Sequence, residues 1–280
     1  MAAPFINLNG KFISATDTQP AHDNRAFRYG YGLFETMLFA NGHIALLQYH
    51  WERLFAGMRQ LQFDIPDFIS YEWLEQETAK TVEKNELEKL CRVRLQVYAE
   101  SGGLYDIKNQ KPGFIIECFP LEPSSIELNN NGVIVGIATG LQKSTDALSN
   151  LKTCSGLIYA MAARQAASEK WNDALICNSN NIIIESTIAN IFWIKDKGVY
   201  TPPLSDGCIA GVMRRHVITQ LAGKGIHIQE RSLDLHAALH ADEMFLTNAV
   251  KRIKWVRSLN EVTALKNSVT KEVYHIITSY

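Results

Sequence analysis

Alternating apolar and polar positions near the start of the chain predict two β-hairpins. Residues 5–13 and 36–45 each contain two short apolar runs joined by Asn-Gly, the dipeptide most typical of a two-residue hairpin turn. Residues 47–62 then repeat large apolar side chains at helical spacing, and residues 70–88 are charged and amphipathic. We therefore expect two helices after the second hairpin.

Strands and helices continue to alternate along the rest of the chain. Residues 92–98 alternate as a half-buried strand does, and residues 114–119 are its expected partner. Further strands are predicted near 133–138, 174–177, 181–184, 190–194 and 244–247, and helices near 157–169 and 212–223. Mixed strands and helices in both halves predict an α+β, or mixed α/β, fold.

A polar stretch rich in Pro, Ser and Asn separates the two halves. Residues 120–131 carry this composition, which is typical of a linker between domains. We expect an N-terminal α/β domain over residues 1–119 and a C-terminal domain over residues 132–280.

Composition narrows the class of protein. The formal net charge of -1 over 280 residues argues against a broad electrostatic contact with nucleic acid or an anionic membrane. The five cysteines include no C-x-x-C pair, which favours free thiols in a reducing cytosol.

No signal peptide and no apolar run of transmembrane length is visible, so we expect a cytoplasmic protein. His236 and His240 lie one helical turn apart without a third ligand, so we expect no metal.

Four positions place charge or free backbone donors beside apolar sequence. Lys152 precedes an alanine-rich helix, where it is either partly desolvated or an ordinary surface lysine. Glu185 ends an apolar strand, as a solvated edge residue or as a group aimed into a site. Arg53 either reaches inward to pair with a phosphate or remains a surface charge. Gly211 opens a helix whose free N–H groups suit an anion, although many helices begin this way without a ligand.

Together these positions meet the requirements of pyridoxal 5′-phosphate (PLP). The cofactor needs a lysine for a Schiff base, an acid for its pyridine nitrogen and a cradle for its phosphate. In this order and at these separations, the residues resemble the class IV aminotransferases, which are fold-type-IV PLP enzymes. The matching segments are Arg28–Thr36, His50–Leu54, Leu151–Lys152, Ile184–Phe192, Thr201–Leu204, Gly211–Arg214 and Ala241–Asn248. The resemblance covers nearly the whole chain, from Asn9 to Val256.

The resemblance implies a two-domain fold like that of D-amino-acid aminotransferase, with PLP at the domain interface. It also implies a homodimer that acts on a small-molecule substrate, with some site residues supplied by the neighbouring subunit. Lys152 would form the Schiff base and shuttle protons, and Glu185 would hold the pyridine nitrogen. The groups implied for phosphate binding are Arg53, the backbone amides of Val212 and Met213, and the Thr247 hydroxyl or Asn248 amide.

The resemblance implies that Tyr29 and Phe34 line the substrate side. It does not by itself specify the reaction, which depends on other residues near the site. The family contains branched-chain and D-amino-acid aminotransferases as well as 4-amino-4-deoxychorismate lyases, which release pyruvate and 4-aminobenzoate. Residues 101–105, 185–193 and 245–249 resemble the lyases, so we favour the lyase of folate biosynthesis. An aminotransferase using 2-oxoglutarate and an inactive PLP-fold binding protein remain as alternatives. Tyr31 replaces the acid usual in Y-G-D-G, and Ser155 replaces an Asn usual after the lysine, which leaves the substrate open.

Overall fold

Two compact units make up the chain in this computed structural model, which describes residues 4–17, 21–105, 109–260 and 263–278. Unit 1 consists of Met1–Ser125 and Leu151–Gly156, and unit 2 consists of Ile126–Asn150 and Leu157–Tyr280. The domain boundaries inferred from the polar stretch at 120–131 stay a prediction. The α+β fold with helices and strands in both halves is confirmed.

Unit 1 is built on a six-stranded antiparallel sheet in the order β2-β1-β6-β5-β3-β4. Its elements are β1 (Phe5–Leu8), β2 (Lys11–Ser14), α1 (Arg25–Tyr29), β3 (Gly32–Ala40), β4 (His43–Ile44), α2 (Leu47–Gln60), α3 (Tyr71–Lys84), β5 (Leu90–Ala99) and β6 (Pro112–Pro120). Both predicted hairpins are confirmed, and Asn9 and Asn41 have the positive φ that their turns require.

The core of unit 1 lies between its sheet and the helices α2 and α3. Met37 on β3 and Leu95 on β5 pack in one buried cluster with Leu54 and Met58 of α2 and Leu74 of α3. Alternate residues along each strand point the other way because strand side chains alternate between faces. The second face of the sheet therefore carries the half-buried side chains of Phe34, Arg92 and Arg94, while Glu35 shares the core face with Met37.

Unit 2 is built on a nine-stranded mixed sheet whose central strands follow the order β11-β10-β13-β14-β7-β8-β9. Its elements are β7 (Val133–Lys143), α4 (Leu157–Ser168), β8 (Asp173–Asn178), β9 (Ile183–Ser186), β10 (Asn190–Lys195), β11 (Gly198–Thr201), α5 (Val212–Ala222), β12 (Gln229–Glu230), α6 (Leu235–Leu239), β13 (Glu243–Asn248), β14 (Arg252–Leu259), β15 (Thr263–Ala264) and α7 (Ser268–Thr278). Strand β7 pairs in parallel with β8 and β14, and β10 is antiparallel to its neighbours.

The structure adds or extends several elements, among them β7, β14 and α7. Strand β7 continues past Ala138 to Lys143 through a register shift, over residues that show no apolar strand pattern. Strand β14, which was not predicted, alternates Arg or Lys with apolar residues over its first half and is paired on both sides. Helix α7 begins where Glu243 accepts hydrogen bonds from the backbone N–H groups of Val269 and Thr270, a cap distant in sequence. None of the helices in the described ranges is long and apolar enough to cross a membrane.

Candidate active site

Lys152 lies on an extended segment that is hydrogen-bonded alongside β3 in unit 1. The backbone N–H of Phe34 donates to the Lys152 carbonyl at 3.0 Å, and that of Cys154 donates to the Gly32 carbonyl at 2.8 Å. A Cβ at Gly32 would lie 2.7 Å from the Val97 carbonyl oxygen and 3.1 Å from the Cys154 Sγ. Gly32 therefore allows the lysine-bearing segment to approach the sheet closely.

The structure brings Lys152, Phe34 and Arg53 together in unit 1. The Lys152 Nζ lies 4.3 Å from the Phe34 ring centroid, within cation–π distance. Lys152 and Arg53 line one small cleft, whose other lining residues are Leu33, Phe34, Glu35, Leu54 and Leu151. Two residues that are 99 positions apart in sequence thus line one depression.

Arg53 is held by a buried carboxylate that the sequence analysis did not single out. Glu35 on β3 accepts a hydrogen bond from Arg53 Nε at 2.8 Å on one oxygen and from Arg53 Nη2 at 2.5 Å on the other. His50 Nδ1 lies 2.6 Å from that second oxygen. Helix α2 supplies both His50 and Arg53, because residues three apart lie on one helix face. This bidentate pair fixes the plane of the guanidinium.

Opposed electrostatic effects set the protonation states of this cluster. Burial raises the pKa of Glu35, but Arg53 and then His50 outweigh it and leave that pKa at about 2. Burial lowers the pKa of His50, although Glu35 opposes the change. His50 is therefore neutral near pH 7 and donates from Nδ1, while its buried Nε2 has no hydrogen-bond partner among the described residues.

The three aromatic residues predicted on the substrate side occupy different surroundings. Phe34 lies beside Lys152, as described above. The Tyr29 ring lies 5.0 Å from that of Tyr105. The Tyr31 hydroxyl donates to the Leu61 carbonyl at 2.5 Å, and its ring packs against the core of unit 1. Placement of Tyr29 and Tyr31 against substrate stays a prediction.

Glu185 lies in unit 2 at the end of β9 and is 2% exposed, so it is a buried acid and not a solvated edge residue. Its Oε1 accepts hydrogen bonds from Lys143 Nζ at 2.6 Å and from the Tyr159 hydroxyl at 2.8 Å. Its Oε2 accepts one from the backbone N–H of Ile209 at 2.8 Å. Each contact comes from a different part of unit 2, which fixes the carboxylate in one orientation.

Buried Asn190 connects Glu185 with the predicted phosphate-binding groups of unit 2. On β10, Asn190 pairs with Glu185 of β9 on one side and with Thr247 of β13 on the other. Its side-chain amide donates to the Ile209 carbonyl, and its Oδ1 would lie 1.8 Å from a Cβ at Gly211. The start of α5 therefore packs closely on Asn190.

The predicted phosphate-binding residues differ in how much of their hydrogen-bonding capacity is in use. Helix α5 has Gly211 as its N-cap and no side-chain capping hydrogen bond, so an anion suits the Val212 and Met213 amides. The Thr247 hydroxyl donates to the Arg252 carbonyl at 2.8 Å. Asn248 uses its Oδ1 to accept from two backbone N–H groups in the following turn.

These clusters also contain four residues that were not predicted from the sequence: Glu35, Arg94, Lys143 and Tyr159. Glu35 lies within a matching segment, but its burial against His50 and Arg53 of α2 could be read only from the folded structure. The Arg94 guanidinium lies 4.9 Å from the Phe34 ring, because Arg94 and Phe34 share one face of neighbouring strands. Lys143 lies 42 positions from Glu185, so only the pairing of β7, β8 and β9 brings them together.

A family model described as amino-transferase class IV matches residues 32–259. The chain belongs to the class IV aminotransferase family. It is 27% identical over 260 residues to an aminodeoxychorismate lyase of Bacillus subtilis, covering 92% of this chain and 87% of that protein. It is 28% identical over 251 residues to a putative branched-chain-amino-acid aminotransferase of Methanocaldococcus jannaschii, covering 89% and 85%.

A solved structure of a putative 4-amino-4-deoxychorismate lyase from Legionella pneumophila is similar to the whole fold. The TM-score is 0.85 at 25% identity, and the match covers 95% of this chain and 96% of that one. The family identity makes the protein a PLP-dependent enzyme, either a lyase or a transaminase.

The described residues fit PLP by the chemistry of their donors. Unit 2 offers a fixed, buried carboxylate for the pyridine nitrogen and an uncapped helix start for the phosphate. Unit 1 offers Lys152 and the cationic Arg53 on one cleft. These are the group types that the cofactor requires.

We predict that Glu35→Gln destabilises the folded protein by about 3 kcal/mol near pH 7, because it leaves the buried Arg53 without its counter-charge. The contribution of Glu35 is complete above its ordinary pKa of 4.5 and is lost as pH falls toward about 2, because the folded-state pKa is depressed. Urea unfolding of both proteins should show their difference shrinking below pH 4.5.

The control is Glu117→Gln, which removes a half-exposed partner of Arg94 at 3.3 Å. This pair is screened by solvent, so the loss is at most about 1 kcal/mol. Equal losses in the two variants, or a Glu35→Gln difference that does not change with pH, contradict the role assigned to Glu35.

Proposed function

We propose that the chain is a 4-amino-4-deoxychorismate lyase that uses PLP to release pyruvate and form 4-aminobenzoate. Similarity to proteins of that name from Bacillus subtilis and Legionella pneumophila supports the proposal. The structural observation that carries it is a cationic surface beside Lys152. Aminodeoxychorismate presents a planar ring and two carboxylates, which suit such a surface.

The cationic surface consists of Arg92 and Arg94, which project from alternate positions of β5 to the same face of the sheet. Arg94 and Lys152 both lie against the Phe34 ring, at 4.9 and 4.3 Å. Burial, and then the neighbouring Arg94, lower the pKa of Arg92, while Glu117 opposes them. Arg94 also pairs with Glu117 at 3.3 Å, so the two arginines and this carboxylate leave one net positive charge on the face. That charge favours a substrate with carboxylates beyond the reacting centre over an amino acid with an aliphatic side chain.

Bound PLP supplies an electron sink that acidifies the hydrogen on the substrate's amino-bearing carbon. We assign Lys152 Nζ to take that proton and to hold it for the leaving group. The bond between the neighbouring ring carbon and the enolpyruvyl oxygen then breaks, and the ring becomes aromatic. Nζ returns the proton to the leaving group, so pyruvate and 4-aminobenzoate account for every atom of the substrate.

In this proposal, the remaining residues bind and orient the cofactor and the substrate. Arg53, fixed by Glu35, and the Val212 and Met213 amides bind the phosphate. Glu185 accepts a hydrogen bond from the pyridine nitrogen, and Arg94 holds a substrate carboxylate. The Thr247 hydroxyl or the Asn248 amide would complete the phosphate site, as the resemblance implies.

The second candidate is an aminotransferase that acts on branched-chain or D-amino acids with 2-oxoglutarate. The relative from Methanocaldococcus jannaschii favours it, and 2-oxoglutarate also carries two carboxylates. Both reactions need Lys152, Arg53 and Glu185 in the same roles. Therefore, only product analysis separates them. An inactive binding protein is the weakest alternative, since all three of these residues are present.

We also propose that the enzyme works as a cytoplasmic homodimer in folate biosynthesis. The five free cysteines are typical of a reducing compartment. The exposed side chains of Leu157 and Met161, one turn apart on α4, offer apolar surface for a second copy of the chain. Sedimentation velocity at several concentrations determines the oligomeric state.

The deciding experiment supplies aminodeoxychorismate to the PLP-loaded protein without any keto acid. We expect equal amounts of pyruvate and 4-aminobenzoate, measured by coupled reduction and by fluorescence. Lys152→Ala should lose the visible band of the covalently bound cofactor and at least about 1,000-fold of the activity, because the proton carrier is gone. Transfer from an amino acid to 2-oxoglutarate, with no product from aminodeoxychorismate, identifies the aminotransferase instead. A protein that never acquires the band is not a PLP enzyme.

Arg94→Met tests the cationic surface. We expect KM for aminodeoxychorismate to rise about 10- to 100-fold with a smaller change in kcat, because a charged hydrogen bond to a carboxylate contributes about 1.5–3 kcal/mol. Arg59→Met is the matched control, since Arg59 also lies over an aromatic ring, that of Phe55 at 5.7 Å. An unchanged KM in Arg94→Met, or an equal rise in both variants, removes Arg94 from the substrate site.

A further inference from the structure

Lys143 is the cation that pairs with Glu185, and nothing in the roles assigned above uses it. Its Nζ lies 2.6 Å from Glu185 Oε1, and the side chains of the two residues are 11% and 3% exposed. The same Nζ lies 5.5 Å from the Tyr159 ring centroid. A buried pair of this kind is weak evidence for a gain in stability, because desolvation offsets the attraction. Its position on the acid intended for the pyridine nitrogen suggests an electrostatic role.

The hydrogen bonds leave one oxygen of Glu185 for the cofactor. Oε1 already accepts from Lys143 and Tyr159, so both of its lone-pair directions are in use. Oε2 accepts from the Ile209 N–H. A carboxylate oxygen accepts two hydrogen bonds, so Oε2 is the oxygen that retains a position for the pyridine N–H.

Among the described groups that contact or face Glu185, Lys143 is the one that carries a positive charge. Burial, and then Glu185 itself, raise the pKa of Tyr159, so its hydroxyl stays protonated and donates. Burial and then Glu185 also raise the pKa of the Cys208 thiol, to about 12, although Arg214 and Lys143 oppose the change. Tyr159, Cys208 and the Ile209 amide are therefore neutral near pH 7.

We infer that Lys143 is a positioning residue that fixes Glu185 and, through its positive charge, limits how firmly Glu185 holds a proton on the pyridine nitrogen. A cation beside the carboxylate cancels part of the negative charge that attracts the ring proton. The protonated fraction of the ring decides its strength as an electron sink, so Lys143 tunes the cofactor without touching substrate. This inference rests on the proposed role of Glu185 in PLP binding.

The test is the 15N NMR signal of the pyridine nitrogen in protein loaded with 15N-labelled PLP, followed across pH. Lys143→Met should move the signal toward that of a protonated pyridinium, with the ratio of protonated to neutral ring rising on the order of tenfold. Lys143→Arg keeps the charge and should follow the wild-type curve. The matched control is Lys195→Met, which breaks an exposed lysine pair with Asp242 at 3.4 Å and should also leave the curve unchanged.

A Lys143→Met curve that coincides with the wild-type curve overturns the inference, as does an equal shift in Lys195→Met. If Lys143→Met does not fold or hold the cofactor, Lys143→Gln decides, because it removes the charge and keeps a hydrogen-bond donor at that position. A shift toward the protonated ring then supports the inference, and no shift overturns it. Failure of the wild-type protein to bind PLP contradicts the proposed function itself, so the two failures are distinguishable.

Discussion

Each unit of this enzyme buries a carboxylate that a fixed cation must neutralise, and the candidate chemistry depends on those two pairs. Glu35 in unit 1 holds Arg53 through both of its oxygens, and Glu185 in unit 2 is held by Lys143. A buried carboxylate without such a partner costs several kcal/mol, so each acid constrains the residues around it. The result is a set of charged groups whose orientations are set before any ligand binds.

Such orientation matters because the proposed cofactor carries most of the chemistry itself. The protein has to hold a phosphate, a ring nitrogen and one lysine in defined places. Arg53 cannot rotate freely while Glu35 binds it in bidentate fashion, and α5 starts at a glycine that packs on Asn190. Preorganised donors of this kind avoid the reorganisation that water would require in each turnover.

Local patterns in the sequence could predict many of the elements and the candidate functional residues, but not the partners of those residues. Asn-Gly turns and helical spacing are local signals, so the hairpins of unit 1 and helix α2 were predicted within a few residues. Ordered motifs singled out Lys152, Glu185 and Arg53 as candidates, whose roles stay predictions. Lys143 could not be predicted, because its contact with Glu185 follows from the pairing of β7, β8 and β9. Local periodicity does not specify which strands pair. Strand β14 was missed because its pairing on both sides outweighs its charged composition.

The Glu35–Arg53 and Glu185–Lys143 pairs differ in a way that bears on how one family supports both a lyase and transaminases. In the proposed site, Arg53 and Glu35 would bind a phosphate that takes no part in bond breaking, so their pairing would serve binding and leave the reaction open. Lys143 and Arg94 would act on groups whose charge changes the reaction, namely the cofactor ring that stores electrons and the substrate that loses or keeps its substituent. A strong electron sink favours storing the electrons on the cofactor, as transamination requires, whereas a weakened sink favours passing them on to a leaving group. In the roles proposed for them, the cation beside Glu185 would favour passing electrons to a leaving group, and the positive charge beside Lys152 would favour a substrate that carries more than one carboxylate.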